Sequence, residues 1–453
     1  MYRTEDKNQM RIAFTMPFYG ELDPDNRWVV LANEIPWDAY EMKYAEQFSE
    51  DAGAPAKAFR MALGALIIQK KFRLTDRETV DMIRENPYLQ YFIGLASYDR
   101  KNPFDPSLMV YFRKRISSDL IIQINNDIFF KPDKPKEETA NQGTLILDAT
   151  CAPQDIRFPQ DASLLNEARE KLEAIIDAVY LFLIQVGLAD INKPRTYRVN
   201  AHKEYLNYTK GRGGSRKKIR RIVKKLLQYA ERDIRHIDKL ESLLGKYSLE
   251  DILSKKQLAD LKVIRELAVQ QREMIDENKN RVDNRIVSIS QPYVRPIVRK
   301  KATAETEFGA KIQVAVINGY TCLDKISWDN FNEGIYLEDA VNKYKERFGY
   351  YPEAVLADNI YKTKANRIFC KKNGIRFLGN KTYKEPVLKD KKAKKAYVKD
   401  LKARQAVEGK IGNGKRKYSL GLIMTKLRNT SETSISLELM MLNIDKLLKQ
   451  KLA

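Results

Sequence analysis

The sequence predicts a mixed α/β chain, with a β-sheet flanked by helices, a long helical insertion in the sheet domain and an all-α block in front of it. Three observations carry this. Short apolar runs of strand length occur at residues 144–147, 308–316 and 354–357. Apolar residues recur at helical spacing through residues 26–131 and again through 163–284. From residue 285 onward the pattern changes, with strand-like stretches followed by alternating helix-like and strand-like ones.

Residues 1–25 are polar and irregular. Trp28, Leu31, Ile35, Tyr40, Tyr44 and Phe48 then recur at roughly helical spacing. A helix is expected over residues 54–71, with Phe59, Leu63, Leu66 and Ile67 on one face. Thr75 and Glu78 have capping-box spacing ahead of a helix at 79–85. Pro87, Pro103 and Pro106 punctuate further short helices, and residues 107–130 read as one more. A charged, proline-containing linker at 131–143 leads into the first strand. Residues 163–186 form an amphipathic helix, and 217–244 with 249–277 suggest a helical hairpin after the glycine-rich break at 211–214. Residues 286–289 and 308–316 have β character. Asn318-Gly319 signals a hairpin, with residues 321–328 as the returning strand. The remainder reads as helix 336–348, strand 354–358, helix 362–372, strand 374–378 and helices 393–411 and 434–451. The expected organisation is a helical N-terminal domain at 1–131, linker and first strand at 132–162, insertion at 163–284, the rest of the sheet domain at 285–430 and a C-terminal helix at 431–453.

The chain has 453 residues, 43% of them hydrophobic, with 82 Lys and Arg against 60 Asp and Glu and a formal net charge of +22. Charge of this size, gathered in runs, points to a polyanionic partner. No stretch has the ~20 apolar residues of a spanning helix, and residues 1–6 lack a signal-peptide core, so no membrane association and a reduced cytoplasmic setting are expected. The three cysteines, Cys151, Cys322 and Cys370, are widely separated, and His202 and His236 are the only histidines. Zinc chemistry is therefore not expected, and any catalytic metal would take oxygen ligands.

Three acids have suggestive settings. Asp148 ends the apolar run 144–147, Asp358 ends 354–357, and Glu408 lies in the helical stretch 401–408 with Lys415 downstream. Sites in open α/β sheets gather at the carboxyl ends of strands. Two such carboxylates and a third on a neighbouring helix suit a pair of Mg²⁺ ions over a phosphodiester, with Mn²⁺ able to substitute. Blander readings exist for each: a strand-ending or helix-capping Asp, an i,i+4 surface ion pair for Arg404 and Glu408, and a solvated lysine for Lys415. Asp155, Asp161, Asp324 and Asp329 are not expected to be ligands. Asp161 reads as a helix N-cap, and Asp324 and Asp329 as surface acids.

Residues 210–226 contain nine Lys or Arg and no acid, among them Lys210, Arg212, Arg216, Lys217, Lys218, Arg220, Arg221, Lys224 and Lys225. Such a run suits phosphate-backbone contact. A second cluster, including Lys389, Lys391, Lys392, Lys394, Lys395 and Lys399, leads into the Glu408 stretch. Trp28, Trp37 and Trp328 read as packing residues.

With these motifs in place, the chain resembles insertion-sequence transposases of the DDE superfamily, in the branch of the insertion-sequence-5 and insertion-sequence-4 groups. That branch carries a Tyr-x2-Arg-x3-Glu-x6-Lys signature. Arg404, Glu408 and Lys415 match its spacing, while Leu401 stands at the tyrosine position. Leu147-Asp148-Ala149-Thr150, Ala357-Asp358-Asn359-Ile360-Tyr361 and the stretch 289–311 are also similar. The resemblance implies an RNase H-like catalytic domain with a helical insertion after its first strand and a helical N-terminal DNA-binding domain. It also implies Asp148, Asp358 and Glu408 as ligands of two Mg²⁺ ions, and Arg404 and Lys415 as phosphate contacts. The implied activity is cleavage at inverted repeats and strand transfer to target DNA, by a homodimer in a bacterial-type, nucleoid-associated setting. Two alternatives stay open, a catalytically silent DNA-binding derivative and a nuclease on the same fold.

Overall fold

The computed structural model describes residues 15–16, 20–48, 55–130, 140–188, 192–211, 215–298, 306–378 and 391–452. Most of the expected linker, Arg212 and Lys389 lie outside these residues, as do the side chains of Lys391, Lys392 and Lys394. The chain forms two compact units. The first comprises Met1–Asp155 and Ala310–Ala453, and the second Ile156–Gly309. The expected insertion falls inside the second unit.

Among the described residues, the first unit begins with seven helices: α1 (Arg27–Glu34), α2 (Asp38–Ala45), α3 (Phe59–Phe72), α4 (Asp76–Glu85), α5 (Pro87–Phe92), α6 (Leu108–Arg115) and α7 (Ser118–Phe129). The Thr75–Glu78 capping box forms as expected and starts its helix at Asp76. The single helix expected over 107–130 is two. Ser117 accepts from the Leu120 amide and so starts a new helix, leaving Ile116 extended and buried. Trp28 and Trp37 are buried among Phe59, Phe72 and Phe92. Strand β1 (Thr144–Pro153) follows.

In the second unit, α8 (Asp161–Gln185), α9 (Arg198–Lys210), α10 (Arg216–Glu241), α11 (Leu249–Ile252) and α12 (Lys255–Asp276) enclose an aliphatic core that includes Leu172, Ile176, Leu240 and Ile264. The N-cap of α8 is Gln160. Asp161 is already helical and accepts from Gln271 and Arg285, at 2.8 and 2.6 Å. The strand expected at 286–289 does not form. Ile286 and Ile289 instead fill the helical core, and the Ile286 amide bonds the Gln270 side chain at 2.9 Å. Burial demand from the helices overrides β propensity here. Strand β2 (Arg295–Val298) pairs antiparallel with residues 306–309 at the start of β3 (Thr306–Ile317).

Back in the first unit, β3 turns at Asn318-Gly319 into β4 (Tyr320–Ser327), and the expected hairpin forms with positive φ at both turn residues. Then come a 3₁₀ turn Glu333–Tyr336, α13 (Leu337–Phe348), β5 (Ala354–Leu356), a 3₁₀ turn Asn359–Tyr361, α14 (Lys364–Lys372), β6 (Arg376–Leu378), α15 (Lys391–Lys417) and α16 (Arg428–Lys451). In the sheet of this unit, β4 lies antiparallel to β3, β3 neighbours β1, and β1-β5-β6 run parallel. One face packs Leu145, Leu147, Val355 and Ala357 with α13 and α14. The other packs Ile146, Leu356 and Leu378 with Val407 and Ile411 of α15.

Helix α16 is the internal post of this unit. It packs on β4 and on α1, α3, α6, α7 and α15. Its Asn443 is fully buried. The side-chain oxygen accepts from the Thr321 amide at 2.7 Å, and the amide donates to Thr321 O and Asn125 Oδ1 at 2.7 and 2.8 Å. Glu438, also buried, is held by Lys70 at 2.6 Å. Each such bond matters chiefly because breaking it strands a buried partner.

Asn443→Leu removes the acceptor of the Thr321 amide and the donor to Asn125 Oδ1, and should cost about 2 kcal/mol or more in urea unfolding. A second expectation concerns pH. Asp233 on α10 is wholly buried, which pushes its carboxyl up to about 7, with Arg232, Arg169 and Arg198 opposing and Glu173 adding to the rise. The unfolded carboxyl titrates near 3.9. The folded form therefore holds the extra proton between these values, and its contribution is full below about pH 3.9 and lost as pH climbs towards 7. Asp233→Asn should flatten that fall in stability, measured as Tm against pH.

Candidate active site

The site starts from strand register. β1 and β5 pair in parallel as Thr144↔Ala354, Leu145↔Val355 and Ile146↔Leu356. Pairing ends at Ile146↔Leu356, and Asp148 and Asp358 each follow that last pair by two residues. Alternation within β1 puts Asp148 on the face of Ile146, where α15 packs, and Asp358 lies in extended backbone past the end of β5. The sequence reading placed Asp148 at the end of its strand. In the structure β1 continues to Pro153, and Asp148 is mid-strand, just past the last residue paired with β5. Relative to its parallel neighbour, however, it still stands at the carboxyl edge. Asp148 is half-buried and Asp358 exposed. Each carboxylate accepts from the next residue's amide, Ala149 at 2.8 Å and Asn359 at 2.6 Å.

α15 supplies the other motif residues. It runs unbroken through Gly409, Gly412 and Gly414, so Lys415 lies on the same helix as Glu408, where the sequence had suggested a loop. At 3.6 residues per turn, Arg404, Glu408 and Lys415 fall within an arc of about 40°. That stripe flanks the line of Val407 and Ile411 that packs on the sheet. Arg404 donates to Glu408 at 2.9 Å. Leu401, at the signature tyrosine position, is exposed. Among the described residues, no three His, Cys, Asp or Glu side chains converge closely enough to hold a metal ion. The structure thus leaves Glu408 engaged with Arg404.

The edge near Asp358 has neighbours that sequence reasoning did not select. Glu333 pairs with Lys311 at 2.9 Å. Tyr361 is fully buried, and its hydroxyl has no hydrogen-bond partner among the described residues. Burial raises its pKa, reinforced by the charges of Glu333, Asp148, Asp324 and Asp358. Asp324, expected at the surface, is buried with Arg347 at 3.5 Å, and burial raises its pKa too. Its setting in an alternating strand next to Cys322 was the available clue. Asp155 pairs with Lys426 at 2.7 Å. Trp328 is buried, and its Nε1 donates to Glu432 at 2.7 Å, consistent with a packing role.

In the second unit, α10 buries Ile222, Val223, Leu226, Leu227 and Ala230 and turns its cations outward. Arg216, Lys217, Lys218, Arg221, Lys224 and Lys225 are exposed and Arg220 half-exposed, with Lys225 paired to Glu204. No helix among the described residues is long and apolar enough to cross a membrane.

Comparison with known proteins finds two matches to domain families. Residues 17–115 match the family described as "Transposase domain (DUF772)", and residues 355–445 match that described as "Transposase DDE domain". A protein of Rhizobium meliloti, "Uncharacterized protein ORF8 in nfe locus", is 28% identical over 154 residues, covering 33% of this chain and 73% of that protein. No solved structure matches. The two domain matches support an insertion-sequence DDE transposase, an enzyme of the nuclease and transposase type. They imply DNA as a partner and a divalent-metal requirement.

Proposed function

We propose that this chain is a metal-dependent DDE transposase of the insertion-sequence-5 and insertion-sequence-4 branch, cutting element ends and joining the freed 3′ end to target DNA. The observation that carries the proposal is that Asp148 and Asp358 each follow the last β1–β5 pair by two residues, at the carboxyl end of the pairing that α15 covers on one face. The strand arrangement, an antiparallel hairpin beside three parallel strands, supports an RNase H-like reading. So does the spacing of Arg404, Glu408 and Lys415.

The donor chemistry fits a hard cation. Asp148, Asp358 and Glu408 offer only oxygen, and they would hold Mg²⁺ or Mn²⁺, in a two-ion site. When bound, the metal would lower the pKa of the attacking water or 3′-hydroxyl and stabilise the leaving oxygen. The chain's own residues do the rest. Asp148 and Asp358 fix the position of the reacting phosphate relative to a rigid sheet edge. Arg404 and Lys415 bind phosphate oxygens from the adjacent stripe. An exposed i,i+4 pair such as Arg404–Glu408 is worth only about 0.3–0.5 kcal/mol. An arriving phosphate therefore draws Arg404 away at little cost and releases Glu408 towards the aspartates. The exposed face of α10, from Arg216 to Lys225, binds the DNA backbone, and the helical block at 1–131 contributes to DNA binding. Two ends must be held at once, so the working form is a homodimer on DNA, in a cytoplasmic, nucleoid-associated setting.

Asp148→Asn, Asp358→Asn and Glu408→Gln should each abolish Mg²⁺-dependent nicking of DNA carrying the element's inverted repeats, while leaving binding of that DNA intact. Wild-type cleavage by any of the three would sink the site. Binding without cleavage by the unaltered protein would instead identify a silent DNA-binding derivative, and a preference for RNA–DNA hybrids would identify a nuclease. Replacing Lys217, Lys218, Arg221 and Lys224 by alanine should weaken DNA binding regardless of sequence, and should reduce the slope of log K against log salt by about 0.9 per lost contact.

A further inference from the structure

We infer that Asn366 is a positioning residue for Asp358, acting as a clamp on the turn that carries it. The inference rests on the reading of Asp358 as a metal ligand, and it concerns a side chain that no motif assigns.

Asp358 follows β5 directly and caps the 3₁₀ turn Asn359–Tyr361. Its backbone carbonyl accepts from the Tyr361 amide at 3.0 Å. Its side chain is exposed, so its placement depends on the turn beneath it. Asn366, in the first turn of α14, is almost fully buried. Its own amide is capped by Thr363 at 3.2 Å. Its side-chain nitrogen donates to Tyr361 O at 2.8 Å and to Gly334 O at 2.6 Å. Both N–H groups are thereby used. They tie the Asp358 turn to the turn Glu333–Tyr336, which carries the Glu333–Lys311 pair.

The two turns meet with no room to spare. A Cβ at Gly334 would lie 2.4 Å from the Ile360 carbonyl oxygen, a backbone atom that cannot swing aside. Glycine at 334 and asparagine at 366 therefore form one device. Glycine admits the close approach, and asparagine bonds the two carbonyls that the approach brings together. Buried carbonyls left without a donor would drive the turns apart, and a shift of under an ångström at a ligand is enough to disable a metal site.

The test measures Mn²⁺ binding to the full chain by calorimetry, without DNA, alongside Tm and hydrogen exchange of peptides covering residues 356–366. Asn366→Asp keeps the shape but loses both donors, and Gly334→Ala forces the turns apart without touching Asn366. Both variants should fold, exchange faster over the Asp358 turn and bind Mn²⁺ about 10–100-fold more weakly. Asn366→Asp with lowered Tm and wild-type Mn²⁺ affinity would show a purely structural residue and overturn the clamp. Asp358→Asn is the control. If it binds Mn²⁺ like the wild type, or if the wild type binds none, the site reading itself fails. If it loses binding while both clamp variants retain it, only the present inference fails.

Discussion

The parallel pairing of β1 with β5 is the constraint on which the rest of the site depends. A strand's side chains alternate strictly, so slipping this register by one residue would send Asp148 or Asp358 to the opposite face. The register is fixed from both sides. Leu145, Leu147, Val355 and Ala357 are locked into the core beneath α13 and α14, while Ile146 and Leu356 are locked under α15. Because the pair is buried on both faces, the position of the two acids that follow it is set by aliphatic packing.

The same packing decides where α15 can lie. Val407 and Ile411 must cover Ile146 and Leu356, which leaves Arg404, Glu408 and Lys415 along the flank. The helix carries three glycines, each about 1 kcal/mol less favourable than alanine in a helix interior, yet it continues to Lys417. Gly414 is closely packed: a Cβ there would approach the Leu420 side chain at 3.1 Å and that of Leu442 of α16 at 3.4 Å. α16 in turn is held by Asn443 and Glu438, whose buried polar bonds reach β4, α7 and α3. Asn443 and Glu438 thus stabilise the helix against which α15 rests.

The second unit answers to different demands. Its long helices bury their apolar faces in two hydrophobic clusters and set the cationic run of α10 in water. Charge so one-signed repels itself, and the pairing of Lys225 with Glu204 offsets only a small part of it. Phosphate backbone would relieve that repulsion. The buried Asp233 carries the opposite burden, a carboxyl enclosed among arginines with no hydrogen-bond partner among the described residues.

Much of this was legible in the sequence, because local signals state themselves locally. The Thr75–Glu78 box, the Asn318-Gly319 hairpin, the apolar runs of β1, β3 and β5 and the Arg404, Glu408 and Lys415 spacing all depend on near neighbours. Where the outcome depended on distant residues, the sequence was silent or misleading. Residues 286–289 have strand composition but fill a helical core. Gly412-Asn413-Gly414 has loop composition but is helical because α16 and Leu420 lie against it. Asp324 is one more acid in the sequence and a buried one in the fold. Neither Asn366 nor Gly334 belongs to any periodic pattern, since they stand 32 residues apart and serve to join two turns. The sequence by itself determined which acids were candidates for the chemistry and that residues 144–147, 308–316 and 354–357 were strands. Tertiary structure alone decided that Ile146 of β1 stands opposite Leu356 of β5, because register is set by cores on both faces of a sheet and by no residue within either strand.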